Sequence, residues 1–189
     1  MRPSGQKKRK VLLRKRLKRK LSVISASSRK GKSRKIIAKL AQLLVFKKAN
    51  RICTFMSSPL EVETKALVGL ALKLKKTVYA PCPDSDGKGM AVYEVRNLRR
   101  DLRRGRFNIL EPRKIKARKG RPSSLDLILV PGLGFDRKGG RLGRGAGYFD
   151  RYLRRCTNAE KIGLAFREQI TKKIPMTRRD VRVDRVITD

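Results

Sequence analysis

Apolar positions fall into two rhythms along this chain. Near the start, Val11, Leu13, Leu17, Leu21 and Ile24 recur mostly three and four apart among lysines and arginines. That spacing predicts a helix over about residues 7–25 with one face against a domain. Ile36, Ile37, Leu40, Leu43 and Leu44 repeat it and predict a second helix from about Ser33 to Lys47. From Arg51 the pattern shortens. Residues 51–56 and 77–81 read as strands, the second ended by Pro81, with a turn at Ser57-Ser58-Pro59 and a helix starting near Leu60 between them. A turn at 84–90, a strand at 91–95 and an exposed helical turn at 98–105, stopped by Gly105, come next. A basic Pro/Gly-containing loop spans 111–122. Residues 125–131 (LDLILVP) form a continuous apolar run between turn residues, the pattern of a strand buried on both faces. A glycine-rich stretch, a helix at 147–155, a strand at 161–166 and a short strand within 181–188 complete the chain.

Strands alternating with helices predict an α/β fold, with a mainly parallel sheet and helices on both faces. In such sheets ligands sit beyond the carboxyl ends of the strands. There is no internal repeat and no second-domain boundary, so residues 1–189 read as a single domain.

Composition narrows the chemistry. Fifty-two Lys and Arg face fifteen Asp and Glu, a formal net charge of +37, and the first acid is Glu61, behind twenty cations. Such an excess points to polyanionic company. The apolar fraction of 39% with 15 glycines excludes disorder of the whole chain. Cys53, Cys82 and Cys156 are odd in number and widely spaced, indicating neither a disulfide framework nor a zinc site. Histidine is absent, which removes Ser-His-Asp and Cys-His nucleophile systems and His-containing metal sites. Catalysis is left to carboxylates, cations and backbone. No apolar run reaches about 18 residues, so neither a transmembrane helix nor a signal-peptide core is expected. The expected compartment is the cytoplasm. The acid-free opening also fits a mitochondrial targeting segment or a basic arm for nucleic acid.

The most informative stretch is 130–153, VPGLGFDRKGGRLGRGAGYFDRYL. It leaves the buried strand and enters a helix. Gly139, Gly140, Gly143, Gly145 and Gly147 let backbone amides approach a ligand, and Arg141 and Arg144 add charge, which together describe a phosphate cradle. The spacing is neither a P-loop, since Ala146 stands where its Lys would be, nor a dinucleotide fingerprint. Glycine clusters of this kind are also ordinary surface turns. Asp150 follows the loop, where an acid suits Mg²⁺ shared with phosphate oxygens and equally suits a helix dipole. Glu61 and Asp180 are further isolated acids, with turn or helix-start roles as the plain alternatives.

PGLGFD followed by RLGRGAGYFDRYL resembles the 5-formyltetrahydrofolate cyclo-ligase (methenyltetrahydrofolate synthetase) family. The resemblance covers nearly the whole chain: Lys10 and Arg14 in the basic helix, EVET at 61–64, Glu111-Pro112, IGLAF with Glu168-Gln169 following, and the terminal RDVRVD. It implies a three-layer α/β fold. It also implies the conversion of 5-formyltetrahydrofolate to 5,10-methenyltetrahydrofolate with Mg²⁺ and ATP, releasing ADP and phosphate. Under it, Lys10, Arg14 and the stretch Arg141, Leu142, Gly143, Arg144, Gly145, Ala146, Gly147, Tyr148 and Phe149 bind ATP. Arg141, Arg144 and Asp150 take catalytic roles, and Asp150 and Asp180 are the Mg²⁺-associated acids. Glu61, Met56, Phe107 and the segment from Arg144 to Tyr148 meet the folate, whose polyglutamate tail is anionic too. In the implied chemistry the formyl oxygen attacks the γ-phosphate, and N10 then closes on the activated carbon as phosphate leaves. Such phosphoryl transfer rests on positioning and charge neutralisation, without a protein nucleophile.

Three positions depart from the family pattern. Ala146 stands where some relatives have Lys and others Gly, Phe149 replaces the second tyrosine of a pair, and Arg179 stands where His often precedes the aspartate. These departures and the +37 charge support a competing expectation: a catalytically weakened relative that binds RNA or DNA, or associates with ribosomes. A monomer is the default expectation.

Overall fold

Leu127, Ile128, Leu129 and Val130 are all fully buried, each contributing roughly 2 kcal/mol of apolar burial, and they form the strand about which the molecule is built. The computed structural model describes residues 5–84, 89–105, 109–114 and 119–189. Its central sheet contains β1 (Arg51–Thr54), β2 (Thr77–Pro83), β3 (Met90–Val95), β6 (Leu127–Val130), β9 (Glu160–Ala165) and β11 (Arg185–Thr188). A hairpin of β4 (Leu102–Arg104) and β5 (Leu110–Pro112), and a small sheet of β7 (Gly134–Asp136), β8 (Arg141–Leu142) and β10 (Ile170–Thr171), stand beside it. The central order is β11-β9-β6-β1-β2-β3, parallel throughout except for the antiparallel edge strand β3.

Side-chain alternation splits the core into two layers. Ile52, Leu127, Leu129, Ile162, Leu164 and Ile187 meet α1 (Gly5–Ser22), α2 (Ala26–Gln42) and α3 (Leu44–Lys48) through Leu21, Ile36, Leu40 and Phe46. Helix α4 (Lys65–Lys73) packs Val68 and Ala71 on Val78, Ala80 and Val95. On the opposite face, Cys53, Ile128, Val130 and Ala165 meet Tyr152 and Leu153 of α5 (Tyr148–Leu153). Burial in this layer pushes the Cys53 thiol far up and the Cys156 thiol to about 11, so neither is a ready thiolate. The expected α/β architecture, with a mainly parallel sheet and helices on both faces, is the one observed.

Several local expectations are corrected. The second helix starts at Ala26, capped by Ser25, whose hydroxyl accepts from the Ser28 amide at 3.2 Å. Its first turns are too polar to show periodicity. Extended backbone at Leu43 then breaks it, which lets Phe46 reach the core. Val11 is exposed, off the buried stripe of Leu17, Leu21 and Ile24. Helix α4 begins five residues later than expected, because the Glu61 carboxylate folds back onto the Ser58 amide at 3.0 Å. Residues 98–105 do not form a helix. Asp101 accepts from the amides of Arg96 and Asn97, Asn97 accepts from those of Arg99 and Arg100, and the chain turns once before β4. Pro81 does not end β2. Among the described residues, that strand pairs beyond Tyr79 only with β3, so Pro81 and Pro83 can place their missing N–H groups on the side away from it.

Asp136, at the end of β7, organises the turn that leads back into β8. It accepts from the amides of Lys138 (2.9 Å), Gly140 (2.8 Å) and Ile174 (2.8 Å). Burial raises its pKa, but these three donors and the nearby Arg182 more than offset that, and the carboxyl sits below its ordinary value. With the folded value depressed, the group's stabilisation is present above about pH 4 and is lost as pH falls through the folded value. Asp136→Ala is expected to cost about 3 kcal/mol in urea denaturation at neutral pH. Asp136→Asn should flatten the loss of stability below about pH 4.

Candidate functional site

The strand order places the site. From β1 the chain moves to β2 on one side, and later to β6 on the other, so their connections part at the carboxyl ends of β1 and β6. A crevice opens at such a switch point. Here it is a cavity of about 560 Å³. Phe55, Met56 and Glu61 enter it from the segment after β1, and Pro131 and Gly132 from the segment after β6. The glycine loop and α5 supply residues from Arg141 to Asp150, α1 supplies Lys7, Lys10 and Arg14, and the C-terminal segment supplies Thr177, Arg179 and Asp180.

The glycine loop fits this place because of its backbone. Gly145 (φ +124°) and Gly147 (φ +70°) adopt conformations that strain L side chains, which turns the chain back over the strand ends before α5 begins. Three cation contacts fix it. Arg14 Nε donates to the Gly143 carbonyl at 2.9 Å. Arg141, 3% exposed, pairs through Nη2 with Asp150 Oδ1 at 2.8 Å and donates from Nη1 to the Pro131 carbonyl at 3.2 Å. Its Nε has no hydrogen-bond partner among the described residues. Arg144 reaches back to Glu61 Oε1 at 3.1 Å and to the Ser58 hydroxyl, while Glu61 Oε2 accepts from the Ser58 hydroxyl at 2.9 Å.

The same network binds the chain's two ends to the loop. Asp150 Oδ1 also accepts from the Val181 amide at 3.0 Å. Next to it, Asp180 Oδ2 pairs with Lys10 Nζ at 2.5 Å and accepts from the amide (2.6 Å) and hydroxyl (2.7 Å) of Thr177. Burial raises the Asp180 pKa, but the Lys10 and Thr177 hydrogen bonds outweigh it, so its carboxyl lies below the usual range. The cavity's other side is apolar, with Met56, Pro81, Met90, Ile109 and Leu110, and has Glu111 as its acid. Cys82 donates its weak S–H to that carboxylate at 3.8 Å.

All the sequence-predicted site residues within the described part of the chain therefore converge on one cavity: Lys10, Arg14, Met56, Glu61, the run from Arg141 to Phe149, Asp150 and Asp180. Phe107 lies outside the described residues. Sequence reasoning passed over Lys7, Ser58 and Thr177. Lys7 shares a helix face with Lys10 and Arg14 at i, i+3 and i+7, a legible signal. Ser58 and Thr177 act through turns that close only in three dimensions.

A cavity at the switch point of a parallel sheet, lined by the buried Arg141, by more exposed cations, by a glycine loop and by an apolar side, is suited to holding an anionic ligand in an α/β protein. The model of the 5-formyltetrahydrofolate cyclo-ligase family matches residues 6–189, and the chain belongs to that family, a family of ligases. It is 34% identical to the mouse 5-formyltetrahydrofolate cyclo-ligase over 184 residues, covering 93% of this chain and 91% of that protein. An Arabidopsis thaliana relative named as mitochondrial is 28% identical over 96% of this chain and 74% of its own length. Among solved structures, the Aquifex aeolicus 5,10-methenyltetrahydrofolate synthetase superposes with a TM-score of 0.81 at 32% identity, covering 94% of this chain and 88% of that one.

The Arg141 guanidinium is buried, so removing its partner strands a charge. Asp150→Ala is expected to cost about 3–5 kcal/mol in urea denaturation. Asp150→Asn should cost less, because its amide oxygen still accepts from Arg141.

Proposed function

We propose that this cavity binds 5-formyltetrahydrofolate and ATP together and forms 5,10-methenyltetrahydrofolate, ADP and phosphate, with Mg²⁺ as the metal. The observation that carries the reading is the division of one cavity into two ends. Lys7, Lys10, Arg14, Arg141 and the loop amides suit a triphosphate, and Met56, Met90, Ile109 and Leu110 suit a flat heteroaromatic ring. Glu61 and Arg144 lie between them and are assigned to orient the folate.

The donor set suits Mg²⁺. That ion takes one or two carboxylates and completes its octahedron with water and phosphate oxygens. Asp150 and Asp180 are two such groups, and Asp150 Oδ2 and Asp180 Oδ1 have no hydrogen-bond partner among the described residues. Also among the described residues, no group of three or more Cys, Asp or Glu could hold an ion unaided, which fits a metal that arrives with its nucleotide. Bound there, Mg²⁺ would neutralise charge on the phosphates.

The protein's own share is positioning and electrostatics. Lys10, Arg14 and Arg141 hold the γ-phosphate in line with the formyl oxygen, which attacks phosphorus and displaces ADP. N10 of the folate then adds to the activated formyl carbon and gives up its proton, and phosphate leaves with that proton. The cavity's apolar side limits the water that can reach that carbon. Ala146 supplies no cation, and Lys10, Arg14 and Lys7 stand in the same cavity. Among the described residues, no helix is long and apolar enough to cross a membrane. The cytoplasm is the assigned compartment. A mitochondrial leader is compatible only if its cleavage spares Lys10 and Arg14.

The test is the rise of the methenyl-folate absorbance band when the protein is mixed with 5-formyltetrahydrofolate, Mg²⁺ and ATP, against an ATP-free control. An ATP-dependent rise is expected. Asp150→Asn that keeps its circular-dichroism spectrum should lose turnover at least 100-fold, and Lys10→Ala should raise the KM for ATP about tenfold. A flat trace from folded wild-type protein would sink the reading in favour of a catalytically weakened relative.

A further inference from the structure

Helix α1 has two unlike faces. Leu17 and Leu21 are buried, Lys10, Leu13 and Arg14 are half-buried, and the remaining thirteen residues of Gly5–Ser22 are exposed. Eight of those exposed residues are cations: Lys7, Lys8, Arg9, Lys15, Arg16, Lys18, Arg19 and Lys20. The helix contains no acid, and among the described residues its one ion pair is Lys10–Asp180. At 100° per residue Lys8, Lys15 and Arg19 fall within about 20° of one outward line, opposite Leu17, in a row roughly 17 Å long. Leu12, 68% exposed, borders that row. Only Lys7, Lys10 and Arg14 of this helix line the cavity, so the outer row has no part in the cyclo-ligase site.

A surface of one sign costs stability by self-repulsion, a cost that a bound polyanion removes. We infer that the outer face of α1 is a docking surface for duplex DNA, with the helix lying along the major groove and Lys8, Lys15 and Arg19 on phosphates. Among the described residues the exposed large apolar ones are Val11, Leu12, Val23, Leu44 and Leu74, with no aromatic among them, so these residues offer none of the stacking platforms that single strands use. The B-form major groove, about 12 Å wide, admits an α-helix, and this helix offers about two-thirds of its perimeter. The deep, narrow A-form groove of duplex RNA does not admit one. Leu12 suits the methyl groups that thymines display in the B-form groove.

The experiment is fluorescence anisotropy with a labelled 20-base-pair DNA duplex between 50 and 200 mM salt. The wild-type protein is compared with two triple variants of equal charge. One is Lys8→Gln/Lys15→Gln/Arg19→Gln, and the other, remote from α1, is Lys73→Gln/Arg99→Gln/Arg155→Gln. The α1 variant should reduce the slope of log K against log salt by about three and weaken binding at least tenfold at 150 mM. The remote variant should stay within about twofold of wild type. Unchanged cyclo-ligase turnover and melting temperature in both variants show that folding is not the cause. Equal losses in the two variants would reduce the binding to net charge and overturn the proposal. So would equal affinity for an RNA duplex of the same sequence, or binding to anionic vesicles with none to DNA at 150 mM.

Discussion

The ion pair between Arg141 and Asp150 is the contact on which the arrangement of this site depends. A guanidinium only 3% exposed must be paired, and its partner must come from another element, because β8 offers no acid. Asp150 lies on α5, so the pairing ties down both ends of the glycine loop between them. The same carboxylate accepts from Val181, and the neighbouring Asp180 holds Lys10 of α1. One continuous network thus gathers the loop, the C-terminal segment and the first helix over the strand ends. Chemistry that depends on alignment needs such fixed parts, since a small misplacement of the reacting phosphate costs orders of magnitude in rate.

Carboxylates are scarce in this chain, and their placement carries the structural information that the abundant cations do not. Asp126 accepts from the amides of Asn50 and Arg51 and aligns the starts of β1 and β6. Asp184 does the same for Lys161 at β9, and Asp189 for Arg167. Glu61, Asp150 and Asp180 line the cavity, each paired with a cation. Isolated acids in a basic chain are for that reason better guides to architecture than basic clusters are. A lysine tolerates solvent, whereas most of these acids sit where two or more donors converge.

The fold was largely legible because its signals were local and redundant. LDLILVP read as a strand buried on both faces, and it is the centre of the sheet. The α1 stripe read correctly at Leu17 and Leu21, where packing decides, and failed at Val11, which lies on the helix off that buried stripe. Three of the misreadings share one cause: hydrogen bonds between side chain and backbone are invisible to periodicity. Asn97 and Asp101 turned an expected helix into a turn and a strand, Ser25 extended α2 through a polar stretch, and Glu61 delayed α4. At the site, the glycine loop, Glu61, Asp150 and Asp180 stood out by composition, and the resemblance added Lys10, Arg14 and Met56. Ser58 and Thr177 were hidden, because their value lies in closing turns around Glu61 and Asp180.

Helix α1 shows how one segment can carry two kinds of charge. Lys10 and Arg14 are four residues apart on one helix face, so the packing that buries Leu17 and Leu21 and half-buries Leu13 also carries their heads into the cavity. There each meets a fixed acceptor, Asp180 or the Gly143 carbonyl, and loses its freedom. Among the described residues, the cations on the outer line meet no acceptor, and they lie exposed to solvent. The inner pair works by position in a cavity of reduced dielectric, where a short contact is strong. The outer row works by number and spacing in water, where only several phosphates engaged together outweigh screening. The same residue types on the same helix therefore differ in what they can recognise, and burial alone separates them.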